Sequence, residues 1–365
     1  MAGRFFSFIL VAAHAATLHA QAARSLPIGR DSVDRLVTAE MTRSHVPGAS
    51  IAVVRAGKVI EARGYGMADL ENQIPVTPQT VFKIGSVSKQ FLAAGIMLPA
   101  QDGRLSIDDP VGKHLPGAPE AWRGITLRHF LTHTSGVVRE GPAFDPMKVQ
   151  PDSIVVRSAF DQPLVFPTGS KYQYCNVCYF ALADIIARTS GKSWGQFLDE
   201  RVFHPLGMPA TRTTTTTELV PHRAHGYVWR DSGYVNAVEF FALRPSGAFL
   251  STVMDLAKWD AALYGDRLLS KATRDAMWSP MRLTTGEVSR YGFGWVLDSL
   301  DGHWRVSHDG SLPGFRAGIA RFPNDSLTVI VLTNGDAARP STMATEIARV
   351  YLSKGAGAAR RAAAR

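Results

Sequence analysis

Cysteine is almost absent. Cys175 and Cys178, in the stretch YCNVC, are the only two among 365 residues. That count excludes a secreted scaffold held by several disulfides. With no further ligands nearby at suitable spacing, it also argues against a structural zinc site. The pair reads as two buried thiols, with a short-range redox pair at a helix start as the other reading. Charge is sparse as well: 19% of the residues are charged and 45% are apolar. This is a core-forming chain and not a disordered one. The formal net charge is +9, but the tail KGAGAARRAAAR holds Lys354, Arg360, Arg361 and Arg365 with no acid, and Arg4 lies at the other end. The remainder carries only +4 with no basic block, so a nucleic-acid partner is not expected. Beyond the N-terminus, no apolar run is long enough to cross a bilayer.

The N-terminus is different. MAGRFFSFILVAAHAATLHAQAARS has one arginine, an apolar run from Phe5 to about Ala16, and the small-residue pattern Ala20-Gln21-Ala22. This is the pattern of a secretory signal peptide, expected over residues 1–22, and the run is too short to span a membrane. Export to the periplasm or outside the cell is the expectation, with no stable membrane insertion beyond the leader.

Along the chain, Val33, Leu36, Val37 and Met41 share one helical face over 31–43. ASIAVVRAGKVIEARGYG reads as two strands turning at Ala56-Gly57. A long apolar helix follows and ends near Gly103. From about 104 to 290 helix and loop dominate, punctuated by Pro and Gly. Within that stretch, YFALADIIARTSGKSWGQFLDERVFHPLGM reads as two helices separated at Ser190-Gly191. Strands return in YGFGWVLD, HWRVSHDG, RAGIARFP and SLTVIVLTN, and a last helix is expected over 340–353. The low-complexity tail, 354–365, is expected to be disordered. No internal repeat is present. The expected fold is an α+β sandwich. Its sheet lobe is built from about 27–85 and 290–353, and its mainly helical lobe from about 86–289, within one domain over 27–353. The cleft between the lobes is the expected site.

Three short clusters carry chemistry. Ser86 and Lys89, in IGSVSKQF, are three apart at the head of an apolar helix and so face the same side. A serine hydroxyl is a poor nucleophile without a base in reach. Free backbone N–H groups at a helix start favour negative charge developing beside it. For Lys89 to be the base its ammonium must first lose a proton, which burial favours, and the apolar residues that follow should partly enclose it. A helix-capping serine and a surface lysine are the plainer alternative. Tyr174 and Asn176 form the second cluster, just before another apolar helix. A phenol there can move a proton, and an amide can hold a carbonyl. The third is His308-Asp309-Gly310, where a histidine ends a strand and a glycine permits close approach of a ligand backbone.

Other patterns are weaker. GKSWG places Ser193 in a G-x-S-x-G frame, but the preceding segment has helical and not strand spacing. An α/β-hydrolase-type esterase using Ser193 is the alternative enzyme reading. A phosphate loop fails because Ile186 stands where its first glycine is needed. His129 and His133, one turn apart in HFLTH, lack the glutamate of the zinc-protease motif, and packing and loop hydrogen bonds are expected of them. A non-catalytic binding module is a third reading, disfavoured because every motif residue is present.

In combination and in this order, IGSVSKQF, ITLRHFLTHTSGV, YQYCN, FHPLGM, SGAFLSTVMDLAKW and HDGSLPGF resemble the serine β-lactamase and penicillin-binding-protein superfamily. They are most similar to its class C β-lactamase-like branch, with D-alanyl-D-alanine carboxypeptidases, D-aminopeptidases and family VIII carboxylesterases. The resemblance covers nearly all of residues 30–353. It implies an antiparallel sheet with flanking helices plus a helical lobe, and an acyl-enzyme on Ser86. Lys89 and Tyr174 would exchange the serine's proton, and Asn176 would orient Lys89 and the substrate amide or ester. His308 and Gly310 would match the K-T-G or H-x-G strand, and the N–H groups of Ser86 and Ser311 would form the oxyanion hole. The substrate would be a small molecule or peptide, with no metal or organic cofactor; oligomeric state stays open. Two residues depart from the pattern. Cys175 stands in the middle of Y-x-N, where its side chain should turn away. His308 stands where a β-lactamase commonly has lysine, and a mostly neutral imidazole attracts a carboxylate less. That favours a peptidase or esterase over an efficient β-lactamase, although Arg316 could supply positive charge.

Overall fold

The computed structural model describes residues 28–213, 217–240, 245–247 and 249–363. The expected leader lies outside these residues. Helix α1 (Ile28–Arg43) is followed by strands β1 (Gly48–Arg55), β2 (Lys58–Asp69) and the short β3 (Ile74–Pro75). The chain then passes through α2 (Lys89–Gln101), α3 (Asn176–Ser190) and α4 (Val253–Ala262). It returns as β4 (Val296–Leu300), β5 (His303–Leu312), β6 (Phe315–Phe322) and β7 (Leu327–Thr333), and closes with α5 (Pro340–Ala363). The seven strands form one antiparallel sheet in the order β4-β5-β6-β7-β1-β2-β3. The N-terminal hairpin thus pairs with the last strand, Ile51 lying opposite Val331.

Successive side chains of a strand point to opposite faces, and here both faces are covered. Ile51, Val53, Val329 and Val331 pack with Val33 and Val37 of α1 and with Ala344, Ile347 and Ala348 of α5. Ala52, Val54, Ile330 and Leu332 face the other way, into the core shared with α2, α3 and α4. This explains why LTVIVLT reads as an unbroken apolar run: all seven residues are buried. Helix α2 is apolar on every side for the same reason, with residues Lys89 to Pro99 all buried. It packs against α3 to form the heart of the helical lobe.

Three expectations change. The segment YGFG is not strand, since β4 begins at Val296 and Tyr291–Gly294 curl back toward α2. The last helix does not stop at 353 but continues through Ala363, into the tail expected to be disordered; an alanine–arginine run has high intrinsic helix propensity. The middle of the chain also holds small hairpins, such as Tyr227–Arg230 with Gly233–Asn236. Among the described residues, no helix is long and apolar enough to cross a membrane.

One ion pair ties α4 to the sheet. Arg321 on β6 donates to the Asp260 carboxylate, which also accepts from Thr328 on β7, and both charged residues are buried. Removing one partner leaves a buried charge uncompensated. Arg321→Ala is therefore expected to lower the unfolding free energy by about 3–5 kcal/mol, read from urea denaturation. A loss below about 1 kcal/mol, the worth of an exposed pair, would show that the pair does not anchor α4.

Candidate active site

Ser86 lies in a single 3-10 turn, Gly85–Ser88, that leads directly into α2. It is not a helix cap: Ser88 takes that position, without a side-chain cap bond. Lys89, expected to be partly enclosed, is fully buried. Its Nζ donates to Ser86 Oγ at 3.2 Å, Asn176 Oδ1 at 2.9 Å and the Ser246 carbonyl at 2.8 Å. As an ammonium, Lys89 spends its three protons on these three oxygens. As an amine, it keeps two protons for the Asn176 and Ser246 carbonyls and turns its lone pair to Ser86. The faces of Tyr174 and Tyr179 lie 4.6 and 5.3 Å from the nitrogen.

Tyr174 reaches the same hydroxyl, its phenol hydrogen-bonded to Ser86. Burial pushes that phenol well above its usual range, with the Ser86 bond opposing. The ring therefore stays protonated at neutral pH. Asn176 is the first residue of α3, and its amide is held at both ends. Oδ1 accepts from Lys89, and Nδ2 donates to the Glu140 carboxylate.

Cys175, between Tyr174 and Asn176, is bonded to Cys178 in the first turn of α3, so neither cysteine is a free thiol. Cys175 caps α3, its sulfur accepting from the Cys178 N–H. That geometry places the two sulfurs side by side one turn apart at a helix start. The Cys175 side chain turns away from Ser86 as expected, into the buried body of the helical lobe.

Strand β5 forms the opposite wall. Gly310 is required there by backbone packing and not, as its sequence context suggested, by a ligand. A Cβ at Gly310 would sit 1.9 Å from the Ile84 carbonyl oxygen and 3.2 Å from Ser86 N. Across the seam, a Cβ at Gly85, whose φ is +51°, would lie 2.5 Å from Ser311 N. The two glycines let the serine turn rest directly on β5, bringing the N–H groups of Ser86 and Ser311 to one end of the cleft.

His308 is buried and both ring nitrogens are engaged. Nδ1 lies 2.7 Å from the Asp309 carbonyl, which can only accept, so Nδ1 carries the proton. Nε2 then accepts from the Tyr291 phenol at 2.8 Å. Burial first, and then the Lys89 charge, lower its pKa to about 3, so the imidazole is neutral.

Tyr291, Tyr172, His133, Arg139 and the Ser246 carbonyl complete the site, and sequence reasoning did not select them for it. His133 Nδ1 accepts from the Cys175 N–H at 3.0 Å, so it holds the Tyr174–Asn176 segment in place. His129 caps its own short helix by accepting from the N–H of Thr126. Neither histidine points at the other's partner. Ser193 is exposed and caps the helix Trp194–Leu198, its hydroxyl bonded to Gln196. It follows helix α3 and not a strand, so the nucleophile-elbow reading fails. Arg316 is turned to Asp336 and to backbone carbonyls and does not line the cleft. The cleft itself has a volume of about 480 Å³ and is lined by Ser86, Tyr174, Arg139, His308 and Ser311, among others.

A buried lysine and a phenol meeting at one serine hydroxyl, on a sheet-and-helix sandwich, are the arrangement a serine hydrolase needs. The chain belongs to the beta-lactamase family, whose pattern matches residues 33–352. It is 32% identical to penicillin-binding protein 4* of Bacillus subtilis over 313 residues, 80% of this chain and 68% of that protein. It is 28% identical to the protein Flp of Staphylococcus aureus over 84% of this chain and 63% of that one. The chain thus spans about two thirds of the length of these relatives. Among solved structures, the octameric penicillin-binding protein homologue of Pyrococcus abyssi superposes with a TM-score of 0.81 at 27% identity, covering 89% of this chain and 77% of that one. D-amino acid amidase of Ochrobactrum anthropi shares the fold, with a TM-score of 0.76 at 23% identity over 89% of this chain and 99% of that one.

Two outcomes are expected from this geometry. Gly310→Ala, by forcing β5 off the serine turn, should slow covalent labelling of Ser86 at least about tenfold, since single oxyanion donors are worth that or more. An unchanged labelling rate would mean that the seam does not position the serine. For His308, the unfolded chain binds a proton from pH about 6.5 downward, whereas the folded chain resists it until about pH 3. Folding stability is then full above that window and falls as pH drops through it. In urea denaturation at pH 7 and pH 4.5, the fall should be smaller for His308→Gln than for the wild type. Equal falls would place the imidazole outside this linkage.

Proposed function

We propose that the chain cleaves an amide or ester bond through an acyl-enzyme on Ser86. The observation that carries this reading is the Ser86 hydroxyl held between a buried Lys89 Nζ, at 3.2 Å, and the Tyr174 phenol. Lys89, as the amine, takes the Ser86 proton while the oxygen bonds to the substrate carbonyl carbon. The N–H groups of Ser86 and Ser311 receive the oxyanion. Tyr174, protonated at rest, hands its proton to the departing nitrogen or oxygen and is reprotonated from Lys89. Asn176, fixed between Lys89 and Glu140, keeps the amine aimed. Water then enters, and the same groups run in reverse to release the acid.

Within this class a peptidase or esterase fits better than an efficient β-lactamase. The position where such enzymes place a lysine holds a neutral imidazole with both nitrogens occupied, and Arg305 on the same strand is paired with Asp298, so β5 offers no unpaired cation to a β-lactam carboxylate. The penicillin-binding name of a relative supports acyl transfer to a serine of this kind. Export, on the strength of the N-terminal pattern, belongs to the same proposal.

A fluorophosphonate probe followed by peptide mass spectrometry should label Ser86. The label should be lost in Ser86→Ala and kept in Ser193→Ala. Lys89→Met should lower kcat/KM on p-nitrophenyl esters by about 10²–10⁴-fold, the usual worth of a general base. A label on Ser193, or nitrocefin turnover far exceeding that of esters and D-alanyl peptides, would overturn the reading.

A further inference from the structure

We infer that the Cys175–Cys178 bond is a positioning element of the active site: it holds Tyr174 on the Ser86 hydroxyl, and proton delivery to the leaving group depends on it. This rests on the Ser86 acyl-enzyme reading and adds to it a covalent bond that sets how well one of its groups works. Cys175 stands between Tyr174 and Asn176 with φ −124° and ψ 103°, an extended conformation. The two neighbours of an extended residue point the same way, and its own side chain points the other. Tyr174 and Asn176 therefore share the cleft side, on Ser86 and Lys89, while the Cys175 sulfur goes into the helical lobe. Whatever fixes Cys175 fixes the direction of both neighbours.

Asn176 has support of its own. It is the first residue of α3, its N–H donates to the Arg139 carbonyl at 2.8 Å, and its amide is held by Lys89 and Glu140. Tyr174 lies outside the helix, one residue before the cap. Two contacts grip the residue that follows it. The Cys175 N–H donates to His133 Nδ1 at 3.0 Å, and the Cys175 sulfur is bonded to Cys178. Cys178 is a firm post. It is fully buried in a helix whose residues are buried from Asn176 through Ala183, and that helix packs on α2, which carries Lys89. The bond thus refers Tyr174 to the same frame as Lys89. Without it, the Cys175 side chain regains rotation and the segment before α3 loses its side-chain tie to that post. A catalytic group displaced by about 1 Å can cost about 10²-fold in rate. The bond forms when two thiols pass two electrons and two protons to a disulfide oxidant, and dithiothreitol returns them as it closes into its own cyclic disulfide. The phenol is then fully aligned only where such bonds persist, in an oxidising compartment.

Phenyl acetate and p-nitrophenyl acetate deliver the same acetyl group and differ in how much the departing oxygen needs a proton. p-Nitrophenolate leaves unaided, whereas phenolate gains from the Tyr174 proton. Cys178→Ser and the double variant Cys175→Ser/Cys178→Ser remove the bond with little change in side-chain size. In both, kcat/KM should fall at least about tenfold on phenyl acetate and less than about threefold on p-nitrophenyl acetate. Wild type unfolded in urea and refolded with dithiothreitol present should show the same split, and reoxidation should reverse it. Unchanged rates overturn the inference. So do losses that are equal on the two esters or larger on p-nitrophenyl acetate, because they come from the fold at large and not from Tyr174. A chain that folds only with the bond closed, in the variants and under dithiothreitol alike, overturns it as well, since the bond then serves folding. Fluorophosphonate labelling of wild-type Ser86 tests the acyl-enzyme separately. Labelling without the ester split sinks the positioning role alone, whereas absent labelling sinks the hydrolase reading beneath it.

Discussion

An amine buried without compensation is among the most costly things a fold can hold, and this protein is organised around supplying that compensation to Lys89. Lys89 sits where no water reaches it, and its nitrogen is satisfied by oxygens from three distant segments: the serine turn, the first residue of α3 and the loop before α4. Each contact constrains the next. Asn176 can present its oxygen to Lys89 because Glu140 takes its nitrogen. The segment bearing Asn176 is held by His133 through the Cys175 N–H. The serine turn can approach because β5 has a glycine opposite Ile84. The Ser86 hydroxyl stands at the cleft end of this network, where the residue is partly open to solvent.

The wall of β5 illustrates how neutrality is enforced. Three effects converge on His308: desolvation, the field of Lys89, and donation from Tyr291 to its free nitrogen. All favour the uncharged ring. At this position of the strand the cleft therefore meets a polar but neutral ring, and Arg305 on the same strand is paired with Asp298.

Much of this was legible in the sequence. The 3.6-residue spacing of Val33 and Val37, the unbroken run in LTVIVLT and the Ala56-Gly57 turn each reflect local rules, and they located α1, β7 and the β1–β2 hairpin. Ser86, Lys89, Tyr174 and Asn176 could be selected because their motifs are short and contiguous. What could not be read depends on contacts between segments far apart in the chain. The Ser246 carbonyl is a backbone atom, and any residue type would supply it. Tyr291 sits in YGFG, which has strand-like composition but curls to meet His308. The role of Gly310 depends on Ile84, and no local pattern reports that. The bond between Cys175 and Cys178 was missed because two cysteines suggest a scaffold too poor in crosslinks, although their spacing at a helix start suits a single short loop.

The pairing of β1 with β7 sets an order of events in the making of this molecule. Until the ribosome has delivered residues 327–333, the β1–β2 hairpin has the β1 flank of its amides unpaired. The sheet closes only when the final strand arrives and α5 drops beside α1. The nascent sheet therefore stays open at β1 until that strand emerges, its long-range topology slow to close and its open strand edge in need of shielding.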